Sequence, residues 1–330
     1  MSMPTDAGSA ETLGDLGESG VLARIFPRLP AAAAQLLGPG DDAAIVAAPD
    51  GRYVVTTDLM VHGPDFRLAW STPHDLGWKA AASNLSDVAA MGAVPTALVV
   101  AIAAPPATPV AMLEGIADGF RDACEALAPG CGVVGGDLSA SDTFTIAVTA
   151  FGDLEGRVPV LRSGARVGDV VAVSGPLGAA ATALRLLFAE AVDADGVPDA
   201  ARAAALRDRA RSQLAPAPPI GDGPLAALAG ATAMLDLSDG LAKDAARVAD
   251  ASGVSIDFDS SALGDDPELA LGGGEDHSLF ATFPPGVELP GGFRRVGAVV
   301  SADASRILLD GVPHPATGWD PFTGWDRSAD

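Results

Sequence analysis

Short runs of β-branched residues, each bounded by turn-forming residues, alternate along the chain with long alanine-rich stretches. This alternation is typical of sheets covered by helices, and it predicts an α/β or α+β fold. We expect strands at residues 43–48, 53–57, 97–103 and 144–151, and helices that open with proline at residues 73–91 and 109–128. These elements predict one compact unit in the first half of the chain.

A basic, glycine-containing stretch at residues 161–169 leads into a new predicted strand at Val170–Ser174, and a second series of strands and helices follows. We therefore expect a loose, disordered tail at residues 1–13, an N-terminal domain at residues 14–160 and a C-terminal domain at residues 161–330. With 330 residues and 48% hydrophobic content, the chain is long enough for each domain to bury its own core.

The chain carries 43 acidic and 20 basic residues, which gives a formal charge of −23. Such a charge repels nucleic acid and anionic membranes, and no segment has the length of a membrane span. Cys124 and Cys131 have neither the spacing of a C-x-x-C motif nor clustered histidines nearby, so they indicate neither a disulfide framework nor a zinc site. These features predict a cytoplasmic protein that binds neither nucleic acid nor membranes.

Aspartates recur at predicted turns between apolar runs. The motifs are Gly40-Asp41-Asp42-Ala43, Thr56-Thr57-Asp58, Gly135-Gly136-Asp137 and Asp236-Leu237-Ser238-Asp239-Gly240. Any one of them also suits an ordinary structural turn, because aspartate and glycine are common turn formers. Together, carboxylates at the ends of neighbouring strands can hold two or more magnesium ions between the phosphates of a nucleotide.

Asp87 differs from these aspartates because it lies inside a predicted helix, among small residues suited to close packing. An unpaired carboxylate in such surroundings would cost free energy. Asn84, three residues earlier, lies on the same helix face, and coordination of a metal ion would satisfy both side chains. A solvated helix face is the alternative interpretation.

The sequence contains neither the G-x-x-x-x-G-K-[ST] motif nor the motifs of protein kinases. None of its four histidines belongs to a nucleophile motif, so we assign no catalytic residue that would become covalently modified. A site of carboxylates and glycines suits phosphoryl transfer, because alignment and neutralisation of charge supply most of the rate.

In this order the motifs resemble the thiamine-monophosphate kinase family, within the superfamily of aminoimidazole ribonucleotide synthetase and selenophosphate synthetase. The match runs from about Leu37 to Phe322. Besides the aspartate motifs it includes Asn84-Leu85-Ser86-Asp87, Met91-Gly92-Ala93, Arg162-Ser163-Gly164-Ala165 and Gly273-Gly274-Glu275-Asp276. The resemblance implies a homodimer in which each chain has an N-terminal dimerisation domain and a C-terminal α/β domain, with the active site between the two domains.

The resemblance also implies the residues of that site. The matching magnesium ligands are Asp42, Thr56, Thr57, Asp58, Asp87, Asp137, Asp236 and Asp239. The positions that would contact ATP are Gly136, Asp137, Arg162 and Ser238. Those that would bind the acceptor are Asp65, Glu275 and Trp319, with Trp319 preferred over Trp325 because the residues after it continue the family-like ending.

The implied activity is a direct, magnesium-dependent transfer of the γ-phosphate of ATP to thiamine monophosphate, which yields thiamine diphosphate and ADP. Three departures bear on the acceptor site: His277 replaces a tyrosine that many members carry, Gly272 replaces the usual serine, and the segment at residues 257–271 is short. Another ATP-dependent enzyme of the superfamily is one alternative. However, the first residues lack the reactive cysteine and lysine of a selenophosphate synthetase, and the chain does not end in the cysteine of a hydrogenase-maturation homologue. A non-catalytic nucleotide- or metal-binding module is the other alternative.

Overall fold

The structure, a computed structural model, describes residues 11–39 and 43–319. Its first half contains a two-stranded sheet and a four-stranded sheet, and the four-stranded sheet has the strand order β3-β6-β4-β5. The elements of this half are α1 (Leu13–Ile25), a 3₁₀ helix (Phe26–Arg28), β1 (Gln35–Leu37), β2 (Ile45–Val46), β3 (Val54–Val61), α2 (Pro73–Ala90), β4 (Val94–Ala104), α3 (Val110–Leu127), β5 (Gly132–Ala140) and β6 (Thr145–Asp153).

The second half is built on a seven-stranded mixed sheet with the order β13-β12-β9-β11-β7-β10-β8. Its elements are β7 (Val170–Ser174), α4 (Ala179–Glu190), α5 (Ala200–Leu206), α6 (Arg211–Leu214), α7 (Asp222–Leu228), β8 (Ala233–Leu237), α8 (Leu241–Ser252), β9 (Ser255–Phe258), a 3₁₀ helix (Ser260–Ala262), α9 (Pro267–Gly272), β10 (Ser278–Phe283), β11 (Arg294–Val300), β12 (Ile307–Leu309) and β13 (Val312–His314). No helix in the described part of the chain is long and apolar enough to cross a bilayer.

The predicted fold class is confirmed, and so are the two helices opened by proline. Helix α2 begins at Pro73, and the side chain of Thr72 caps it by accepting a hydrogen bond from the Asp75 N–H. Asp75 in turn accepts a hydrogen bond from the Thr72 N–H, so two otherwise unpaired N–H groups are satisfied. This capping box fixes where the helix starts and therefore which of its residues reach the site.

The sequence predicts all four aspartate motifs at turns, and for two of them this prediction is wrong. The Thr56-Thr57-Asp58 motif lies within β3, and the Gly135-Gly136-Asp137 motif lies within β5. Glycine is needed inside β5 because a Cβ atom on Gly136 would come 1.9 Å from the carbonyl oxygen of Val100 on β4. Glycine in this strand therefore permits the close approach of two backbones. The same residue type is also typical of turns, which is why the sequence predicts a turn here.

The predicted tail extended to residue 13, but the helix α1 begins at Leu13. Thr12 caps this helix by accepting a hydrogen bond from the Asp15 N–H, and the side chain of Leu13 is buried. The end of the predicted tail therefore belongs to the folded part of the chain. Residues 1–10 lie outside the described residues.

Helix α2 joins the two halves of the molecule. Its residues Leu85 and Val88 belong to the same buried cluster as Met234 on β8 and Phe283 on β10. Because one continuous core crosses from one half to the other, the side chains on α2 hold a fixed position relative to the end of β8.

The crossing of α2 and α3 depends on two glycines. A Cβ atom on Gly119 would come 2.1 Å from the carbonyl oxygen of His74, and one on Gly77 would come 2.0 Å from that of Ile116. We expect Gly119→Ala to lower the free energy of unfolding by roughly 1–3 kcal/mol, because the backbones must separate. Urea denaturation measures this change. Glu125→Ala, on an exposed position of the same helix, is the control, and equal stability of both variants would contradict the close contact.

Candidate active site

Three adjoining cavities form one cleft between the two halves of the molecule. The middle cavity has a volume of about 360 Å³, and we call it the carboxylate chamber because Asp58, Asp87, Asp236 and Asp239 line it. These four side chains come from β3, α2, the end of β8 and the turn after β8. Sequence reasoning assigned all four to magnesium, and the fold brings all four to one chamber.

The other two cavities lie on either side of the carboxylate chamber. The aromatic chamber, about 270 Å³, has Trp70, Phe188 and Trp319 in its walls. The arginine chamber, about 570 Å³, is lined by Arg52 and Arg162. The residues shared between the carboxylate and aromatic chambers are Asp65, Lys79, Glu275 and Trp319, and those shared between the carboxylate and arginine chambers are Asp87 and Asp236.

Asp87 and Asp236 form the centre of the cleft. Asp87 accepts a hydrogen bond from the hydroxyl of Thr56 at 3.0 Å, and Asp236 accepts one from the hydroxyl of Ser86 at 3.2 Å. The ring nitrogen Nδ1 of His277 lies 3.5 Å from Asp236. Thr56, which was also assigned to magnesium, thus orients the Asp87 carboxylate from the neighbouring strand.

The two central carboxyl groups have opposite pKa shifts. Burial and the nearby charge of Asp236 raise the pKa of Asp87 to about 7. Burial alone would also raise the pKa of Asp236, but the hydrogen bond and the charge of His277, together with the hydrogen bond to Asp87, lower it. A cation bound beside these two adjacent acids would stabilise the form in which both are ionised.

The donor set of the carboxylate chamber fits magnesium, which prefers hard oxygen ligands. Thr57, Asp58, Asp87 and Asp236 offer hydroxyl and carboxylate oxygens there. Yet among residues 11–39 and 43–319 no three acidic, histidine or cysteine side chains converge tightly enough to hold a metal ion unaided. Water and the phosphate oxygens of a bound nucleotide would complete the coordination.

Asp239 already has two cationic partners. Its carboxylate lies 2.5 Å from Nη2 of Arg247 and 3.2 Å from Nζ of Lys243. Arg247 also pairs with the buried Asp244, whose carboxylate accepts hydrogen bonds from the N–H groups of Asp239 and Gly240. The Asp239 turn is therefore held in place by α8, and a metal ion would compete with two side chains for Asp239.

The predicted acceptor residues meet where the carboxylate and aromatic chambers join. Asp65 accepts a hydrogen bond from the Val61 N–H at 2.7 Å, and burial raises its pKa. The N–H of Trp319 donates to the carbonyl of Asp239 at 2.8 Å, so the end of the described chain is bound to the Asp239 turn. Asp65, Glu275 and Trp319 thus come together as one group.

The predicted nucleotide residues are not all brought together. Arg162 lines the arginine chamber, Ser238 lines the carboxylate chamber, and Gly136 and Asp137 lie on β5, away from both. Asp42 lies outside the described residues, and so does the alternative acceptor tryptophan, Trp325.

Lys79 is a residue of the cleft that sequence reasoning missed. It is buried, lines two chambers and forms an ion pair with Glu275 at 2.7 Å. Its spacing contained a usable signal, because Lys79, Ser83 and Asp87 follow one another at intervals of four along α2. Side chains at this spacing lie on one face of a helix, so identifying Asp87 could have led to Lys79.

Comparison with known proteins identifies both halves. Residues 40–154 match the AIR synthase related protein, N-terminal domain, and residues 166–289 match the AIR synthase related protein, C-terminal domain. The chain is 45% identical to the thiamine-monophosphate kinase of Mycobacterium tuberculosis over an alignment of 334 positions, gaps included, which covers 97% of this chain and 94% of that protein.

Two solved structures are similar in fold and sequence. The thiamine-monophosphate kinase of Stenotrophomonas maltophilia K279a matches with a TM-score of 0.73 and 30% identity, over 90% of this chain and 96% of that one. A structure of AaThiL complexed with AMPPCP and TMP matches with a TM-score of 0.68 and 28% identity, over 94% and 98%. The chain therefore belongs to the thiamine-monophosphate kinase family and has its two AIR synthase related domains.

Proposed function

We propose that the protein transfers the γ-phosphate of ATP directly to thiamine monophosphate in a magnesium-dependent reaction, and that the products are thiamine diphosphate and ADP. The observation that carries this proposal is the order of the three chambers. A carboxylate chamber with a donor set suited to magnesium lies between a chamber with arginines and a chamber with aromatic walls. Membership of the family supports the same activity.

The donor side of the cleft uses Arg162. Its guanidinium lines the arginine chamber and can pair with phosphate oxygens of ATP in a fixed, two-pronged geometry. Asp87 and Asp236, which line this chamber and the next, then face the terminal phosphate. Magnesium ions bound by these carboxylates would neutralise the phosphate charge that otherwise repels the acceptor.

Direct transfer fits the side chains of the carboxylate chamber. Its lining residues include no cysteine, and its histidine, His277, is buried and engaged with Asp236. A nucleophile that formed a covalent intermediate would need a free, activated side chain. Alignment of donor and acceptor phosphates is the contribution that these residues can make.

The acceptor side of the cleft suits a cationic ring. Asp65 and Glu275 lie where the aromatic chamber begins, and Lys79 and Arg67 line the same chamber. Lys79 pairs with Glu275, and the guanidinium of Arg67 lies over the rings of Trp70 and Phe188, so the carboxylate of Asp65 is available to a positively charged thiazolium ring. Trp319 adds an aromatic face for stacking or for a cation–π contact with that ring.

We infer that the site is completed by a second copy of the chain. Asp137 on β5 is in register with Ala101 on β4, and through Ala147 on β6 with Leu59 on β3. Asp58 and Asp137 are thus separated by three strand spacings, about 14 Å. A metal ion at Asp58 is out of reach of Asp137 in the same chain, so if Asp137 is a metal ligand it would act in the cleft of a neighbouring chain.

The sheet face that carries Asp137 supports pairing of two copies. Val55 and Leu59 lie on this face with exposed fractions of 59% and 52%, although both are large apolar residues on a strand. Exposed apolar side chains on a sheet face favour burial against a partner. A homodimer formed through this face would cover both residues.

Mixing two inactive variants tests the shared site. We expect Asp87→Asn and Asp137→Asn each to have little activity alone. If each site uses Asp87 of one chain and Asp137 of the other, random pairing of the two variants restores about a quarter of wild-type activity, because half of the dimers contain one intact site. Activity is assayed on the total protein after co-expression of the two variants, and the mixed dimer purified on its own should show about half of wild-type activity. A mixture that stays inactive while dimers exchange would contradict the shared site.

A panel of acceptors tests the proposed function itself. Purified protein is incubated with ATP, magnesium chloride and one acceptor at a time, and the products are separated by mass. Thiamine monophosphate should give thiamine diphosphate, and the aminoimidazole precursor of the related synthetases should give no product. ATP consumption with that precursor, together with none on thiamine monophosphate, would reject the proposal. The cytoplasmic location stays a prediction from the sequence.

A further inference from the structure

The carboxylate of Glu275 is held by two side chains from distant parts of the chain. Nζ of Lys79 on α2 lies 2.7 Å from Oε1 of Glu275. The amide Nε2 of Gln213 on α6 donates a short hydrogen bond to the other oxygen, Oε2. Both carboxylate oxygens therefore have a partner, one charged and one neutral.

This arrangement changes the ionisation of Glu275. Burial alone would raise its pKa, but the charge of Lys79 and the hydrogen bonds from Lys79 and Gln213 outweigh burial and lower it. Glu275 is thus kept ionised at the entrance of the aromatic chamber, and its orientation is fixed. A carboxylate with only one partner could turn away from a ligand.

The backbone at Glu275 is strained as well. Its φ angle is +65°, in the left-handed region that residues other than glycine rarely adopt. A hydrogen bond from the Glu275 N–H to the carbonyl of Ser238 at 2.8 Å ties this conformation to the turn beside the carboxylate chamber. Such strain persists only where the surroundings fix it, and it is common at binding sites.

The oxygen of the Gln213 side chain is buried. The side chain is 6% exposed, and its Oε1 has no hydrogen-bond partner in the described part of the chain. The amide cannot be turned round, because Oε1 would then face the Glu275 carboxylate. A buried, unpaired oxygen is unfavourable, so a glutamine at this position carries a cost that its hydrogen bond to the Glu275 carboxylate has to offset.

We propose that Lys79 and Gln213 are positioning residues for the acceptor, which act by fixing the Glu275 carboxylate toward the ring of the acceptor. This inference rests on the proposed function, because it takes the aromatic chamber as the acceptor site. Lys79 and Gln213 belong to different halves of the chain, so the acceptor site forms only when α2, α6 and the Glu275 loop are in place. The ATP side of the cleft does not depend on this contact.

Gln213→Met is the sharpest test, because it keeps the length of the side chain, removes the N–H donor and also removes the unpaired oxygen. We expect the KM for thiamine monophosphate to rise about tenfold, the effect of losing a hydrogen bond to a charged group. Both kcat and the KM for ATP should stay within about twofold, since only acceptor binding changes. Calorimetric titration with thiamine monophosphate alone should show the same loss of affinity.

Ser212→Ala is the matched control on the same short helix. Ser212 donates to the carbonyl of Ala179 and does not touch Glu275, so its removal tests the packing of α6 alone. Lys79→Gln and Lys79→Arg form a second pair: the first should raise the acceptor KM, and the second, which keeps the charge, should restore most of the affinity. If Gln213→Met does not fold, the acceptor KM values of these two variants test the positioning role.

The outcomes separate this inference from the proposed function. Wild-type protein without activity on thiamine monophosphate would reject the proposed function. Normal wild-type activity, with an unchanged acceptor KM in Gln213→Met and Lys79→Gln, would reject only the positioning role. An equal rise of the acceptor KM in Ser212→Ala would also reject it, because the effect would then come from α6 as a whole.

Discussion

Asp87→Asn should lower turnover at least about a hundredfold, the effect of removing one strong electrostatic contact to the transition state. Asp87 lies at the junction of the carboxylate and arginine chambers and pairs with Asp236. Asparagine keeps the shape of the side chain but cannot supply the negative charge that a bound magnesium ion needs. Steady-state kinetics with saturating ATP and magnesium measures the loss.

The same substitution should stabilise the metal-free protein at pH 8. The pKa of Asp87 is raised to about 7 in the folded state, mainly by burial. Between about pH 4 and 7 the folded protein therefore holds a proton that the unfolded chain has released, so stability falls as pH rises through this window. Asparagine cannot ionise, and the variant should gain roughly 1–3 kcal/mol at pH 8 and little near pH 4.

Measuring both turnover and stability of Asp87→Asn distinguishes loss of the charge from loss of the fold. Asp265→Asn, at an exposed position, is the control and should change neither turnover nor stability. A folded Asp87→Asn variant with near-normal turnover would remove Asp87 from the site. A metal-free variant that is less stable than the wild type at pH 8 would mean that the charge of Asp87 is satisfied within the protein.

Free thiamine should be a very poor substrate, with kcat/KM at least about a hundredfold below that of thiamine monophosphate. The reason is electrostatic, because magnesium held by the carboxylates of the chamber would supply positive charge to anionic oxygens of both donor and acceptor. The hydroxyl of free thiamine offers no anionic oxygen. Comparison of the two acceptors at equal ATP and magnesium measures the difference, and equal use of both would show that the acceptor phosphate is not needed for binding or transfer.

The ring of the acceptor should be recognised separately from its phosphate. In Trp319→Ala the KM for thiamine monophosphate should rise about tenfold and that for ATP little, the effect of losing one stacking contact. Phe188→Ala is a useful comparison, because Phe188 lines the aromatic chamber but not the carboxylate chamber. A larger rise of the KM for ATP than of the KM for thiamine monophosphate would contradict a role of Trp319 in binding the acceptor.

The sequence was most informative where local rules decide the structure. The prolines at the starts of the predicted helices located α2, and the costly carboxylate inside that helix singled out Asp87. The interpretation failed at Gly135-Gly136-Asp137 because glycine serves close strand packing and turns equally well. An aspartate in a motif can likewise have a structural role. Asp276 follows Glu275 in the motif, but its carboxylate accepts hydrogen bonds from backbone N–H groups at the start of α4.

Other features depend on contacts that no local pattern contains. The pairing of Lys79 with Glu275, and of Gln213 with the same carboxylate, joins segments far apart in the chain. The distance between Asp58 and Asp137 follows from the strand order, which the sequence did not predict. The boundary at residues 160 and 161 lies between the two matched domain ranges and stays a prediction.

The fate of the γ-phosphate of ATP tests the central claim most directly. Protein, magnesium and thiamine monophosphate are incubated with ATP that carries ¹⁸O in its γ-phosphate, and all phosphorylated products are analysed by mass. Transfer of the γ-phosphate to the acceptor predicts that the label appears in thiamine diphosphate, with ADP formed in equal amount and no labelled inorganic phosphate. Label in inorganic phosphate, with thiamine monophosphate unchanged, would contradict the account.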